Sequence, residues 1–318
     1  MLFTPGRSAR FATGRLPIVL RVDGVSKRFG ATQALDEVSL VVPDGRIVGF
    51  LGPNGSGKTT TMRAIMGLVA TDQGSITWRD EPITDEVRHR FGYMPAERGM
   101  YPKMRVREQL TYFPRLAGSG RRDAENAADQ WLARMGLTDR ADDEVQALSS
   151  GNQQRLQLAI SLVHRPDVLV LDEPFSGLDP VAVETMKALL VEEVERGVTV
   201  LLSSHQLDLV SDVCRDVVIV NRGRVVLDGA VDDIRRRAPT RNVVATLASG
   251  DVNAFDPSDR SWEVVDRSEQ QIGLRVPAQV DADEVFAAVA SIGPIVEFVF
   301  AAPELSEVFI ESVGEVEG

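Results

Sequence analysis

The sequence contains a glycine-rich stretch, LGPNGSGKTTT at residues 51–61, whose composition suits phosphate binding. It fits the pattern G-x-x-x-x-G-K-[ST], and it lies between an apolar run and a run with helical period. The glycines let the backbone curl so that its N–H groups surround an anion at the positive end of a helix. Lys58 would neutralise β and γ oxygens, and the Thr59 hydroxyl would bind Mg²⁺. A glycine-rich turn without a ligand is the alternative. The predicted phosphate-contacting residues are Gly52, Pro53, Asn54, Gly55, Ser56, Gly57, Lys58, Thr59 and Thr60.

Two adjacent acids follow an apolar run in VLVLDEPFSGLDP, residues 168–180. A buried strand that ends in carboxylates presents them at its C-terminal edge, where open α/β sheets bind their ligands. Asp172 is therefore predicted to hold Mg²⁺. Glu173 is predicted to orient or deprotonate an attacking water as a general base. The alternative is that this pair only caps the next helix, but the phosphate-binding motif in the same chain favours catalysis.

A histidine in SSHQLDLV, residues 203–210, ends a third apolar run, VTVLLSS. If this run forms the strand beside that of the two acids, the His205 imidazole can reach the γ-phosphate. We therefore predict a catalytic role for His205 together with Glu173 and Lys58. A lone histidine is more often structural, and that is the role we assign to His89 and His164.

The stretch LSSGNQQR at residues 148–155 is rich in small polar side chains but lacks residues for acid-base or metal chemistry. Ser150 and Gln153 fit a capping box that starts the helical run QQRLQLAISLV. The free N–H groups and the dipole of that helix end favour an anion. Capping alone would also explain the composition of this stretch.

Apolar runs of strand length alternate with runs of helical period along much of the chain. The predicted strands are residues 47–51, 168–172, 198–203 and 217–220, and the predicted helices are residues 60–66 and 181–196. This alternation predicts an α/β fold in which helices cover a parallel sheet. Residues 104–150 change to amphipathic helical character and are predicted to form a helical insertion.

We predict three segments: an N-terminal arm at residues 1–17, a nucleotide-binding domain at 18–237 and a small α+β domain at 238–318. The arm contains arginines and no acid, and it lacks the apolar core of a secretory signal. DIRRRAPTR, residues 233–241, is predicted to be a linker. The residues after it predict three strands, a helix, a strand and a final helix.

Composition limits the classes of protein that this sequence can encode. The chain has 318 residues, 43% of them hydrophobic, and a net charge of -12. The acidic balance argues against nucleic acid as a partner and against adhesion to an anionic bilayer. No apolar run approaches the ~20 residues that span a membrane. The single cysteine, Cys214, cannot form an internal disulfide, which favours a reducing cytoplasm.

The motifs GPNGSGKT, LSSGNQQR, LVLDEPFSGLD and SSH, in this order and spacing, resemble the ATP-binding cassette of ABC transporters. The resemblance covers residues 18–237 and implies a P-loop NTPase fold with a mixed, mainly parallel sheet. It implies that ATP and Mg²⁺ bind between two cassettes packed head to tail, each P-loop facing the signature LSSGNQQR of the other. Phe29 would stack on adenine. The residues implied to act across the dimer interface are Ser149, Ser150, Gly151, Asn152 and Asp179.

Two departures from the family pattern affect the expected chemistry. Ser150 and Asn152 replace a glycine and a glutamine of the usual signature, which stays small and polar. In YMPAERGMYP, residues 93–102, Ala96 stands where the family usually has a glutamine that contacts Mg²⁺ and the attacking water. Glu97 would replace that ligand if the loop shifts by one residue; the alternative is a weaker metal contact at this position. We therefore expect slow but real hydrolysis.

ERGMYPKMRVREQL, together with the signature and the C-terminal ELSEVFIESVG, is similar to ATPase subunits of bacterial exporters of the sodium-efflux type. This implies a cytoplasmic ATPase at the inner face of the membrane, a homodimer or heterodimer attached only through a separate integral membrane permease. The cargo would be an ion such as sodium, or a small molecule or drug. Met100 and Tyr101 are predicted to be exposed where the permease binds, with ordinary packing beneath the helical insertion as the alternative. The alternatives are a soluble ABC ATPase acting on ribosomes or nucleic acid, and a regulatory module gated by ATP.

Overall fold

The computed structural model describes residues 18–97, 99–257 and 260–314. The chain forms two compact units, one up to Ala230 and one from Val231, whereas the expected boundary lay after residue 237. The arm predicted for residues 1–17 lies outside the described residues.

The first unit alternates strands and helices along most of its length. Its strands are β1 (Ile18–Phe29), β2 (Thr32–Pro43), β3 (Ile47–Leu51), β4 (Gln73–Trp78), β5 (Glu81–Pro82), β6 (Phe91–Met94), β7 (Val168–Leu171), β8 (Thr199–Ser204), β9 (Asp216–Asn221) and β10 (Arg224–Ala230). Its helices are α1 (Lys58–Ile65), α2 (Asp85–Arg88), α3 (Val106–Leu116), α4 (Arg121–Arg134), α5 (Ser150–Leu162), α6 (Pro180–Glu195) and α7 (Leu207–Ser211). The strands predicted from the motifs correspond to β3, β7, β8 and β9.

The main sheet has the strand order β10-β9-β3-β8-β7-β6. Strands β9, β3, β8, β7 and β6 run parallel, and β10 pairs antiparallel with β9. Every residue of β3, β7 and β8 is buried, as expected for parallel strands covered on both faces. This sheet confirms the predicted α/β fold. It also places the C-terminal ends of β3, β7 and β8 side by side, with Leu51 opposite Ser204 and Leu171 opposite Leu202.

An antiparallel sheet with the order β2-β1-β4-β5 is the main feature of this unit that the sequence pattern did not predict. Leu20 and Leu40 of this sheet share a hydrophobic core with Phe50 of β3 and Met62 of α1, and all four are fully buried. Burying each such side chain stabilises the fold by roughly 1.5–3 kcal/mol. The strand and the helix that flank the glycine-rich loop are therefore both anchored in this core.

The predicted helical insertion contains α3 and α4 between β6 and α5. Arg134, at the end of α4, donates to the carboxylates of Glu193 at 2.8 Å and Glu192 at 2.6 Å, both on α6. Glu193 is buried, so its pairing with Arg134 is shielded from solvent more than an ordinary surface ion pair. The insertion is therefore attached to the helix that follows the Asp172–Glu173 loop.

The second unit is an antiparallel sheet with helices. Its elements are α8 (Val231–Arg237), β11 (Thr240–Leu247), β12 (Glu263–Arg267), β13 (Gln271–Pro277), α9 (Ala282–Ala290), β14 (Ile295–Ala301) and α10 (Leu305–Gly314). The sheet order is β12-β13-β11-β14, with Val285 and Val289 of α9 buried in its core. The strands and helices from β11 onward follow the predicted order.

The linker predicted at residues 233–241 is wrong, because α8 covers its first half and β11 begins at Thr240. Val231 and Ile234 of α8 are buried, and this burial stabilises the helix. None of the helices within the described part of the chain is long and apolar enough to cross a bilayer.

Candidate nucleotide-binding site

The glycine-rich loop joins β3 to α1, and close backbone contacts require two of its glycines. Gly52 has φ of 151°, and a Cβ at this position would lie 2.1 Å from the carbonyl oxygen of Val220. Gly57 has φ of 109°, and a Cβ there would lie 2.7 Å from the Leu35 side chain. Only glycine fits either position without strain. The loop is therefore held in a curled form at the start of α1, and such a loop can direct free N–H groups toward a phosphate.

Lys58 is the first residue of α1 and is buried within this loop. Its Nζ donates to the carbonyl oxygens of Gly52 at 2.7 Å and Pro53 at 3.1 Å, and it lies 3.6 Å from Glu173 Oε1. Burial lowers the pKa of Lys58, whereas the carboxylates of Glu173 and Asp172 oppose that shift. Phosphate oxygens would add negative charge beside the ammonium group and stabilise its charged form.

Asp172 directly follows β7 and has no exposed surface. Its Oδ1 accepts a hydrogen bond from Ser203 Oγ at 2.6 Å, and its buried Oδ2 has no hydrogen-bond partner among the described residues. A buried anionic oxygen without a donor is costly unless a cation binds beside it. No group of three or more His, Cys, Asp or Glu residues in the described ranges could hold a metal. Asp172 nevertheless fits Mg²⁺, which commonly combines one or two protein ligands with phosphate oxygens and water. Thr59 is the second residue of α1 and is half-buried, and its contact with the cation stays a prediction.

Glu173 adopts φ of 54°, a left-handed conformation that is strained for a residue other than glycine. Its N–H donates to Ser203 Oγ at 2.9 Å, and its carbonyl oxygen accepts from Gln154 Nε2 at 3.4 Å. These two bonds hold the strained backbone from both sides. Sequence reasoning missed Ser203, although its place near the end of the strand beside β7 was a usable signal.

The Glu173 carboxylate lies between His205 and Lys58. Its Oε2 is 2.9 Å from His205 Nδ1, and its Oε1 is buried without a hydrogen-bond partner among the described residues. The structure therefore brings the predicted catalytic side chains together at the C-terminal edge of the sheet. His205 is half-exposed and orients the carboxylate of Glu173. Its predicted contact with the γ-phosphate stays a prediction.

Helix α5 begins in the signature stretch. Its N-cap is Ser149, whose Oγ accepts from the Asn152 N–H at 3.3 Å. The capping box predicted at Ser150 and Gln153 is wrong, because the capping residue lies one position earlier and already satisfies the Asn152 amide. Ser149 and Ser150 are exposed, and Gly151 is half-buried. The helix end is thus accessible, while its contact with a second subunit's ATP stays a prediction.

Two more residues with a predicted contact lie on the surface. Asp179 is exposed and caps α6, where its Oδ1 accepts from the Ala182 N–H at 2.8 Å. Phe29 ends β1 with half of its side chain exposed, and Lys27 Nζ lies 5.5 Å from the centre of its ring. An exposed ring at a strand end can stack on a base. The interface role of Asp179 and the adenine contact of Phe29 stay predictions.

The loop after β6 contains Ala96, the residue that stands in place of the glutamine usual in the family. Ala96 and Glu97 are both exposed, and Glu97 Oε1 lies 3.9 Å from the Arg63 guanidinium of α1. The Glu97 carboxylate therefore lies near the helix that begins with the P-loop lysine, and its role as a metal ligand stays a prediction. Tyr101 is exposed as predicted, but Met100 is half-buried, which corrects its predicted exposure.

Comparisons with known proteins find relatives of both units. Residues 35–176 match the family model described as ABC transporter. Residues 229–313 match the model for the C-terminal domain of DrrA1-3-like ATP-binding proteins. YhaQ of Bacillus subtilis, described as an uncharacterized ABC transporter ATP-binding protein, is 39% identical over 298 residues. That match covers 94% of this chain and 99% of YhaQ.

Two other relatives have names that state a function. LnrL of Bacillus subtilis, a linearmycin resistance ATP-binding protein, is 31% identical over 250 residues, covering 76% of this chain and 79% of LnrL. Nod factor export ATP-binding protein I of Burkholderia lata is 38% identical over 209 residues, covering 65% of this chain and 69% of the relative. A solved ATP-binding subunit of an ABC transporter matches with TM-score 0.64 at 31% identity, covering 69% of this chain and 92% of that chain.

Proposed function

The chain belongs to the ABC transporter ATP-binding proteins, ATPases coupled to transport, and we propose that it drives an exporter through a separate membrane permease. The observation that carries the proposal is the position of Glu173, held between His205 at 2.9 Å and the P-loop Lys58 at 3.6 Å. This arrangement suits removal of a γ-phosphate from ATP rather than storage of the nucleotide. On this proposal, the chain lies at the cytoplasmic face of the membrane and is held there by the permease.

Each side chain of the site has a distinct role in the proposed reaction. Lys58 binds the phosphates, and Asp172 and Thr59 hold the cation site. Glu173 orients the attacking water and accepts its proton. One of its oxygens is fixed by His205, while the other lies 3.6 Å from Lys58 Nζ and makes no hydrogen bond within the described residues. Mg²⁺, when bound, neutralises charge that develops on the β and γ oxygens.

We propose that the active unit is a head-to-tail pair of ATPase subunits, either two copies of this chain or this chain with a similar one. The exposed start of α5 supports the pairing, since its N–H groups and dipole favour an anion. Within 4 Å, and outside the helix itself, a Cβ added to Gly151 would meet the Leu178 side chain alone among the described residues, at 3.8 Å, which leaves room for a ligand at the helix end. ATP adds contacts made only in the closed pair and so shifts the population toward closure.

A groove of about 680 Å³ in the insertion region is the proposed docking site for the permease. The exposed Tyr101 ring on its wall packs edge to face on Tyr112, with ring centres 6.0 Å apart. Apolar grooves with charged rims accept amphipathic helices. We therefore propose that a cytoplasmic helix of the permease binds here. The groove is lined by Tyr101, Pro102, Lys103, Met104, Glu108 and Gln146.

For the cargo we propose an organic small molecule, with sodium as the alternative. The names of two relatives, linearmycin resistance and Nod factor export ATP-binding proteins, support the organic class. Inside-out vesicles containing the chain and its permease provide the test. ATP-dependent accumulation of a lipophilic dye, with no accumulation of ²²Na⁺, supports this cargo class, whereas the reverse result assigns sodium.

Purification in mild detergent followed by mass spectrometry tests the partner class. An integral membrane protein is expected, while ribosomal proteins or bound nucleic acid would support a soluble ABC ATPase. The ATPase rate of the purified complex is then compared between wild type and Glu173→Gln. We expect a loss of at least about 100-fold in kcat with little change in KM, as for removal of a general base. If wild type and Glu173→Gln both hydrolyse ATP only at the background rate, the remaining hypothesis is a regulatory module gated by ATP binding. The alanine at position 96 favours that hypothesis.

A further inference from the structure

Helix α5 carries two glutamines whose amides bind backbone at two separate loops of the nucleotide site. Gln154 Nε2 donates to the carbonyl oxygens of Pro174 at 2.8 Å and Glu173 at 3.4 Å. Gln157 Nε2 donates to the carbonyl oxygens of Pro95 at 2.7 Å and Glu97 at 3.2 Å. Residues three apart lie on the same face of a helix. One face of α5 is therefore bonded both to the loop of the predicted base and to the loop that carries Ala96.

The position of the Ala96 loop depends on Gln157 more than on the charge of Glu97. The Glu97 side chain is 90% exposed and lies 3.9 Å from Arg63, a surface pair that contributes little. Gln157 is 4% exposed, so its amide bonds to Pro95 and Glu97 are shielded from water. Losing them would leave buried polar groups without partners.

We propose that Gln157 is a positioning residue that ties the Ala96–Glu97 loop to α5 and so sets where Glu97 lies beside the nucleotide. The inference rests on the proposed function, because it assigns this loop to the ATP site. The signature residue Ser149 lies about 12 Å along the same helix, at 1.5 Å per residue. In the proposed head-to-tail pair, the start of α5 contacts the ATP that is bound by the partner subunit. A shift of α5 at that contact would therefore move Glu97, which lies at this subunit's own ATP site.

The test compares Gln157→Met and Gln157→Glu with wild type in the full-length protein. Methionine keeps the length of the side chain but cannot donate, and glutamate replaces the donor by a charged acceptor. Ser161→Ala is the matched control, since Ser161 is a buried polar residue one turn further along α5. Its Oγ donates at 2.7 Å to the carbonyl oxygen of Leu158 in the same helix and to no other group in the part of the chain that the structure describes.

The first readout is amide hydrogen exchange in peptides spanning residues 91–104, measured without nucleotide. Each neutral hydrogen bond slows local opening by roughly a factor of five, so the loss of both bonds should make exchange about 25-fold faster in Gln157→Met. No local change is expected in Ser161→Ala. Exchange equal to wild type in Gln157→Met would overturn the proposal. Because this readout needs no turnover, it decides the role of Gln157 even if the glutamate variant fails to fold.

The second readout is a double-mutant cycle on kcat between Gln157→Met and Glu97→Ala. If Gln157 acts by placing Glu97, Gln157→Met lowers kcat in wild type but changes it by less than about twofold when Glu97→Ala is already present. Equal losses in both backgrounds would overturn the proposal, because they indicate a general structural effect. If wild type itself hydrolyses no ATP, the proposed function fails, and the exchange measurement still decides whether Gln157 holds the loop.

Discussion

Replacing Ser203 with alanine should separate the catalytic geometry of the site from its stability. The Ser203 hydroxyl donates to Asp172 Oδ1 at 2.6 Å and accepts from the Glu173 N–H at 2.9 Å. Ser203→Ala removes both bonds at once without changing a charge. Asp172 then keeps no hydrogen-bond partner for its carboxylate among the described residues, since Oδ2 has none already.

The expected magnitudes follow from these two contacts. Leaving a buried polar group without its partner costs about 1–3 kcal/mol, so two such groups lower the free energy of unfolding by roughly 2–6 kcal/mol. The left-handed backbone at Glu173 stores roughly 1–3 kcal/mol of strain. Without the hydrogen bond from its N–H to Ser203, this strain would favour a shift of Glu173. A base displaced by ~1 Å lowers turnover by about 100-fold. We therefore expect a large loss of kcat with KM for ATP nearly unchanged.

Thr199→Val provides a matched control on the same strand. The Thr199 hydroxyl accepts from the Gly45 N–H at 3.0 Å and donates to Asp44 at 3.4 Å, so it has the same two kinds of partner as Ser203. It lies ~13 Å away along the strand at about 3.3 Å per residue. Thermal unfolding should show both variants destabilised, while steady-state ATPase assays of the complex should show only Ser203→Ala impaired. A kcat for Ser203→Ala within twofold of Thr199→Val would refute the reasoning.

Three further outcomes are expected. Ser149→Arg should abolish hydrolysis while a fluorescent ATP analogue still binds the isolated subunit; loss of binding there would mean that the stretch acts within its own chain. Gly57→Ala should weaken analogue binding and lower the melting temperature, because the new Cβ lies 2.7 Å from Leu35 at φ of 109°; unchanged binding would contradict the required glycine. Burial lowers the pKa of His164 below its ordinary 6.5, so acidification from pH 7.5 to 5.5 should destabilise wild type more than His164→Leu in thermal melts. Here the unfolded chain takes up the proton more readily, and stability is lost as pH falls. Equal losses of melting temperature in wild type and His164→Leu would exclude a contribution of His164 protonation to this pH dependence.

The chemical residues of the site are predictable because each motif is local. The glycines, Lys58, Asp172 and Glu173 all lie within a few residues of short, fully apolar strands. A parallel sheet brings the C-terminal ends of such strands to one edge, so sequence order alone indicates that their side chains converge. The motifs do not contain the residues whose hydrogen bonds hold that geometry in place. Gln154 and Gln157 bind main-chain atoms far away in sequence, and no local pattern identifies such partners. Ser203 binds both a side chain and a main-chain N–H across the sheet, and only its place near the end of the strand beside β7 indicated it.

The missed sheet and the wrong linker have different physical reasons. Strand β1 contains Gly24 in a left-handed conformation, and its register with β2 shifts between Val22 and Val25. This irregularity breaks the alternation that indicates a strand, and the pairing with β4 is long-range. The arginines and the proline of residues 233–241 suggest an exposed linker. In α8, however, acids occupy the first turn and arginines the last, which favours a helix through its dipole.

The bonds from Ser203 and Gln154 that hold the backbone at Glu173 use its main-chain N–H and carbonyl groups, whereas its carboxylate contacts His205 and Lys58. The side chain can therefore be exchanged without loosening the loop that presents it. On the proposed head-to-tail arrangement, Glu173→Gln should then yield a subunit arrested with intact ATP, and the bound nucleotide would hold two cassettes together. Such an arrested pair would be a practical reagent, because it would hold the membrane partner in one conformation long enough for the whole assembly to be isolated and imaged.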